Sequence, residues 1–217
     1  MVNKIKFCVW LPRPKGGEAK SSATVFVVYY NSKLRGDKKM RLFIAAQFNQ
    51  KIIDELTYIQ SYWQHLGMKG RYAPVENLHL TLAFIGEYKD PDYVLETLEA
   101  VSFEPFSVKL DGVGNFNDLY WAGVQKNEEL STCVKRIRRA LAENNIPYDR
   151  KRFSPHITLV RKAAFEGKPE NLTKELPTGE MKVNSIAVMS STRGKNGMIY
   201  TKIGSLQSNN SGITKSR

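Results

Sequence analysis

Two of the three histidines in this chain stand in the same four-residue frame, "HLTL" at 79–82 and "HITL" at 156–159. With 11 threonines in 217 residues, two such matches among three histidines would arise in roughly one chain in a hundred. Imidazole titrates near neutrality, so one member of a pair can be neutral and act as a base while the other is protonated and acts as an acid. A threonine hydroxyl beside each can donate a hydrogen bond to an oxygen on which charge is growing. A base, an acid and donors between them are what in-line displacement at phosphorus requires. A catalytic zinc site wants about three protein ligands. The histidines and the two cysteines, Cys8 and Cys133, supply such a set only with carboxylates of unknown placement, so no metal is expected. The plainer reading is that both histidines merely bridge strands, with threonine chosen for its β-propensity. That serves for one frame better than for two matched ones.

These side chains must be positioned by strands. With a period of two, Leu78, Leu80, Leu82 and Phe84 share one face, and His79, Thr81 and Ala83 share the other. In the second stretch Ile157 and Leu159 point inward, which leaves His156 and Thr158 outward. If two such halves pack about a pseudo-twofold axis, both pairs line one cleft. Arg161 has the parity of Ile157 and Leu159, so only a bulge or a strand end would turn it to that cleft.

The flanking pattern supplies the halves. "MRLFIAAQF" from Met40 reads as a strand, and Ile52, Leu56, Ile59, Trp63 and Leu66 make the apolar stripe of a helix that Gly67 ends. "PDYVLETLEAV" opens a helix at Pro91, "FSVKLDGV" and "LYWAGV" are strands around a turn, and a second amphipathic helix covers about 128–144. "VNSIAVMSSTR" and "GMIYTKI" form a closing hairpin around "GKNG". Irregular alternation with hairpins indicates α+β rather than a doubly wound parallel sheet. The domain is expected over 40–207, after an N-terminal extension, 1–39, that is poorly ordered or a mis-assigned start. A polar tail, 208–217, follows it.

The formal charge of +12 favours anionic partners, nucleic acid foremost. Lys135, Arg136, Arg138 and Arg139 form a basic helix face that is either solvated surface or a phosphate contact. Cys133 lies at helical spacing among Leu130, Val134, Ile137 and Leu141, the position of a small core residue. His65 closes a helix near Gly67, where the dipole favours a cation, and no catalytic role is expected for it. No apolar run approaches the roughly 20 residues that span a bilayer, and no signal peptide is legible, so a cytoplasmic monomer is expected.

"ENLHLTLAFIG" and "FSPHITLVRK" resemble the paired signatures of the two-histidine phosphoesterases. More closely, the chain from Met40 to "GMIYTKI" resembles the RNA 2',3'-cyclic phosphodiesterases, historically called bacterial 2'-5' RNA ligases. The resemblance implies a bilobal, pseudo-twofold, LigT-like α+β fold with antiparallel sheets around a central cleft. It implies hydrolysis of a 2',3'-cyclic phosphate on RNA ends or nucleotides to a 2'-phosphate, with no cofactor. In that scheme His79 is the proton donor, His156 the proton acceptor, and Thr81, Thr158 and Arg161 hold the phosphate. Phe153 is either a wall of the pocket or a core aromatic. Two alternatives stay open: the reverse joining reaction, and a non-catalytic RNA-end binding protein.

Overall fold

In a computed structural model the described residues are 39–209, apart from 175 and 196. The N-terminal extension, Cys8 and most of the polar tail lie outside them. Nine strands and three helices follow in the order β1 (Met40–Ala46), α1 (Gln50–His65), β2 (Lys69–Tyr72), β3 (Leu80–Tyr88), α2 (Pro91–Glu99), β4 (Phe106–Phe116) and β5 (Leu119–Val124). Then come α3 (Glu128–Glu143), β6 (His156–Ala164), β7 (Glu180–Val183), β8 (Ser185–Gly194) and β9 (Gly197–Gln207).

The helices start where the side chains can cap them. Asn49 accepts from Ile52 N at 3.1 Å, and Asn127 accepts from Leu130 N at 2.8 Å, each satisfying an orphan donor. Gly67, with φ of 87°, ends α1 as expected. On α1 the stripe Ile52, Leu56, Ile59 and Trp63 is buried, with Leu66 half-buried at its end. On α3 the stripe includes Cys133, whose thiol burial pushes up to about 12 against the opposing pull of Arg136.

The strands form two antiparallel sheets, ordered β3-β1-β8-β9 and β2-β6-β5-β4-β7. Without β2 the two orders correspond strand for strand, β3-β1-β8-β9 onto β6-β5-β4-β7, so the duplication seen in the histidine frames extends to the sheets. Each lobe borrows from the other half of the chain: β8 and β9 complete the first sheet. One continuous core runs through both lobes, from Leu42, Ile44 and Leu80 to Val108, Ile157 and Leu159. A smaller cluster, Phe43, Ala45, Ala187 and Met189, covers the opposite face of the first sheet together with Phe84 and Tyr200.

Strict alternation fails at two expected positions: Ala83 packs in the main core beside Leu80 and Leu82 instead of facing outward with His79 and Thr81. Phe84 does not share the leucine face; it packs in the smaller cluster and lines the cleft. The cause is a pair of bulges. β1 pairs Ala45 with Thr81 but Ile44 with Ala83, which leaves Leu82 as an extra residue and reverses the parity beyond it. Ile85 is a second extra residue, between Phe84 and Gly86. The first two residues of the polar tail are tied to the fold. Ser208 N donates to Asn184 O at 2.8 Å and Asn209 N to Phe103 O at 3.0 Å.

Candidate active site

The two sheets enclose a cleft of about 1260 Å³. His79, Thr81, His156, Thr158 and Arg161 all line it. His79 stands just before β3, at the exit of a 3-10 turn over Val75–Asn77, and His156 is the first residue of β6. Their local geometry is the same. His79 Nδ1 is 2.7 Å from Asn77 O, and His156 Nδ1 is 2.8 Å from Ser154 O, in each case the carbonyl two residues upstream. A carbonyl oxygen only accepts, so Nδ1 carries the hydrogen in both rings and Nε2 is the nitrogen that gains or loses a proton. In His79 that Nε2 lies 3.1 Å from Thr81 Oγ1. A neutral His79 therefore accepts from the threonine hydroxyl, and a protonated one donates to it.

Aromatic rings wall both imidazoles. His79 packs against Phe43 at 4.9 Å and edge-on to Tyr200 at 5.2 Å. His156 meets Phe116 edge-on at 5.2 Å and Trp121 at 6.1 Å. Burial is the main cause that lowers the His79 pKa from its ordinary 6.5; the hydrogen bond to Asn77 opposes it, while the charges of Arg161 and His156 lower it further.

Arg161 reaches the cleft by the route its parity demanded. β5 pairs Trp121 with Thr158 but Tyr120 with Val160, so Leu159 is an extra residue. Leu159 and Val160 are both buried, and Arg161 emerges on the cleft side. The two bulges match: each falls on the leucine that ends its histidine frame, Leu82 and Leu159. The position five residues after each histidine thus faces the cleft in both lobes, carrying Phe84 in one and Arg161 in the other. The duplication supplies an apolar wall on one side and a cation on the other.

Further cations line the cleft that the sequence reading did not select: Arg41, Arg71, Arg193 and Lys195, against one carboxylate among the described residues, Glu76. Arg41 lies over the Phe84 ring at 5.0 Å. Arg41 of β1 and Arg71 of β2 lie far in sequence from the β8–β9 hairpin that carries Arg193 and Lys195, so no local spacing joins them. Asn77 Nδ2 donates to Met198 O at 2.8 Å and ties the tip of the β8–β9 hairpin beside His79.

Other sequence candidates stay away from the cleft. His65 is exposed at the end of α1. Phe153 packs against the main core, 6.0 Å from the Arg138 guanidinium. Arg136 donates to Ser102 O, Arg138 to Lys151 O, and Arg139 pairs with Glu143, so much of the basic α3 face is engaged within the fold. Among the described residues no three His, Cys, Asp or Glu side chains converge as metal ligands, and no helix is long and apolar enough to cross a membrane.

Comparison with known proteins agrees with this geometry. The family model described as the 2'-5' RNA ligase superfamily matches residues 49–195. A relative from Aquifex aeolicus named RNA 2',3'-cyclic phosphodiesterase is 32% identical over 181 residues, covering 76% of this chain and 96% of that protein. One of the same name from Thermotoga maritima is 30% identical over 173 residues, covering 74% and 91%. The crystal structure of Escherichia coli LigT complexed with 3'-AMP superposes with a TM-score of 0.66 over 79% of this chain and 99% of that one. At 22% identity that likeness speaks for the fold. By matched sequence, by duplicated fold and by the paired frames, this chain belongs to the 2'-5' RNA ligase superfamily.

Proposed function

We propose that this chain hydrolyses the 2',3'-cyclic phosphate at the end of RNA or of a nucleotide to a 2'-phosphate, without a metal ion. The observation that carries this reading is the matched pair of imidazoles. Both commit Nδ1 to a backbone carbonyl, and both open with a threonine onto one cationic cleft. The relatives named RNA 2',3'-cyclic phosphodiesterase support the same activity.

In the reaction, His156 Nε2 takes a proton from water as its oxygen bonds to phosphorus. The P–O3' bond breaks, and His79 Nε2–H gives its proton to the departing O3'. One water is consumed, the product carries a 2'-phosphate and a 3'-hydroxyl, and the two histidines have exchanged protonation states. Thr81, Thr158 and Arg161 hold the non-bridging oxygens as charge builds on them. Burial and neighbouring cations disfavour a charged His79. A bound phosphate anion acts in the opposite sense, so the acid acquires its proton as the substrate enters.

Turnover of adenosine 2',3'-cyclic phosphate between about pH 5 and 8 tests the reading. With EDTA present the rate should be unchanged and its pH profile bell-shaped, the limbs belonging to the coupled pair. Inactivation by EDTA that zinc or manganese reverses would overturn the metal-free step. Adding an oligonucleotide with a 5'-hydroxyl separates the joining reaction, which yields a longer strand. Tight binding of the cyclic nucleotide without turnover would leave only an RNA-end binding role.

A further inference from the structure

One cross-strand pair in the cleft sets like charges against each other. Arg71 of β2 is the register partner of Arg161 of β6, and both line the cleft. Residues directly opposite on antiparallel strands have Cβ atoms about 4.5–5.5 Å apart, and like charges there destabilise the pair. Among the described residues no carboxylate forms an ion pair with either of them. The ion pairs among the described residues are Arg139–Glu143 and Lys151–Asp149, both elsewhere.

The local backbone is shaped to bring this pair about. The bulge at Leu159 precedes Arg161, and Lys162 directly after it holds a left-handed φ of 51°, unusual for a lysine. On the facing strand, a Cβ at Gly70 would sit 2.6 Å from Val160 Cγ1 and 3.1 Å from Ala163 Cα, so glycine lets β2 approach β6 beside Arg71. Gln60 of α1, 7% exposed, then ties the two strands together. Its Nε2 donates to Ala73 O at 2.9 Å and to Leu159 O at 3.0 Å, while Ala73 N also donates to Leu159 O at 2.8 Å. Ala73 lies two residues beyond Arg71, and Leu159 lies two before Arg161. A single buried amide thus bridges the strands where each arginine leaves them.

We propose that Arg71 and Arg161 form a paired-guanidinium subsite for a phosphate of the substrate, and that Gln60 is the positioning residue that holds the pair together. This rests on reading the cleft as a phosphate-ester site. Each guanidinium offers a planar fork of N–H donors, and a phosphate has enough free oxygens to accept from both forks. The anion places negative charge between the two guanidinium groups, and relief of their mutual repulsion becomes part of the affinity.

Inorganic phosphate is the probe, titrated calorimetrically into the full chain and its Arg71→Met, Arg161→Met and Gln60→Met variants. Each single change should weaken phosphate binding about tenfold or more. Without phosphate, Arg71→Met should melt no lower than the parent, since it removes repulsion. Adding Gln60→Met to Arg161→Met should cost little further affinity, because Gln60 acts through the pair. Turnover locates the bound phosphate. A loss in Arg71→Met on both adenosine 2',3'-cyclic phosphate and a dinucleotide with the same end puts the pair at the reacting phosphate. A loss on the dinucleotide alone puts it at the preceding phosphodiester. Phosphate affinity and turnover unchanged in Arg71→Met would overturn the subsite, and a Gln60→Met chain that melts lower yet binds phosphate normally would remove Gln60 from it. Arg71-dependent phosphate binding in a chain without turnover would instead leave the subsite standing and sink the hydrolytic reading.

Discussion

His79 and His156 share a backbone anchor, and they differ in their surroundings. Replacing either by Ala should cut turnover by about 10²–10⁴, the range for a lost acid or base. The melting temperature should hold in both variants, which circular dichroism checks. Thr81→Ala and Thr158→Ala should cost less, about 1–3 kcal/mol each in kcat/KM, for a lost hydrogen bond to a charged group. The lowered pKa of His79 carries a stability consequence with a definite sign. A depressed folded-state value favours the neutral ring, so its contribution is present above the ordinary 6.5 and is lost as pH falls through the folded value. The parent should therefore lose melting temperature on acidification more steeply than His79→Gln. Equal slopes would mean that the ring is solvated like an exposed one. Phosphate should raise the His79 pKa in an NMR titration, and Arg161→Met should raise it without phosphate, since the charge of Arg161 lowers it.

Elements with a regular period could be read from the sequence, and the interruptions in that period could not. The α1 stripe, the α3 stripe, the β8–β9 hairpin and both histidine strands follow from spacings of 3.6 or 2. The pattern missed β2, "KGRY", because four mostly polar residues at a sheet edge carry no alternation, and with it went Arg71. Ala83 and Phe84 exchange the faces that alternation gives them because a bulge leaves no mark in composition, whereas the misfit of Arg161 is visible as a parity conflict that only a bulge resolves. The helix starts allow a prediction at this scale. Asn49 and Asn127 are duplicate caps, but Asn127 Nδ2 also donates to Ser107 O at 2.8 Å. Asn49→Ala should cost about 1 kcal/mol. Asn127→Ala should cost about 1 kcal/mol more for the additional hydrogen bond. Thermal melts of the two variants make the comparison, and equal losses would show that the Ser107 bond contributes nothing.

Across the whole molecule, a chain of formal charge +12 surrounds its cleft with Arg41, Arg71, Arg161, Arg193 and Lys195. That field should draw an anionic substrate inward, so kcat/KM should fall with rising salt, more steeply for an oligonucleotide than for a cyclic mononucleotide. A flat salt dependence on both would mean that the cations serve solubility alone. The assignment of the two lobes to acid and base is the central claim, and the identity of the product tests it most directly. Adenosine 2',3'-cyclic phosphate is incubated with the chain and EDTA, and the 2'- and 3'-phosphates are separated. If His79 protonates O3' while His156 activates water, the product is adenosine 2'-phosphate, and a substrate whose leaving group needs no proton restores turnover to His79→Ala but not to His156→Ala. Adenosine 3'-phosphate as the product, or equal rescue of both variants, would contradict the account.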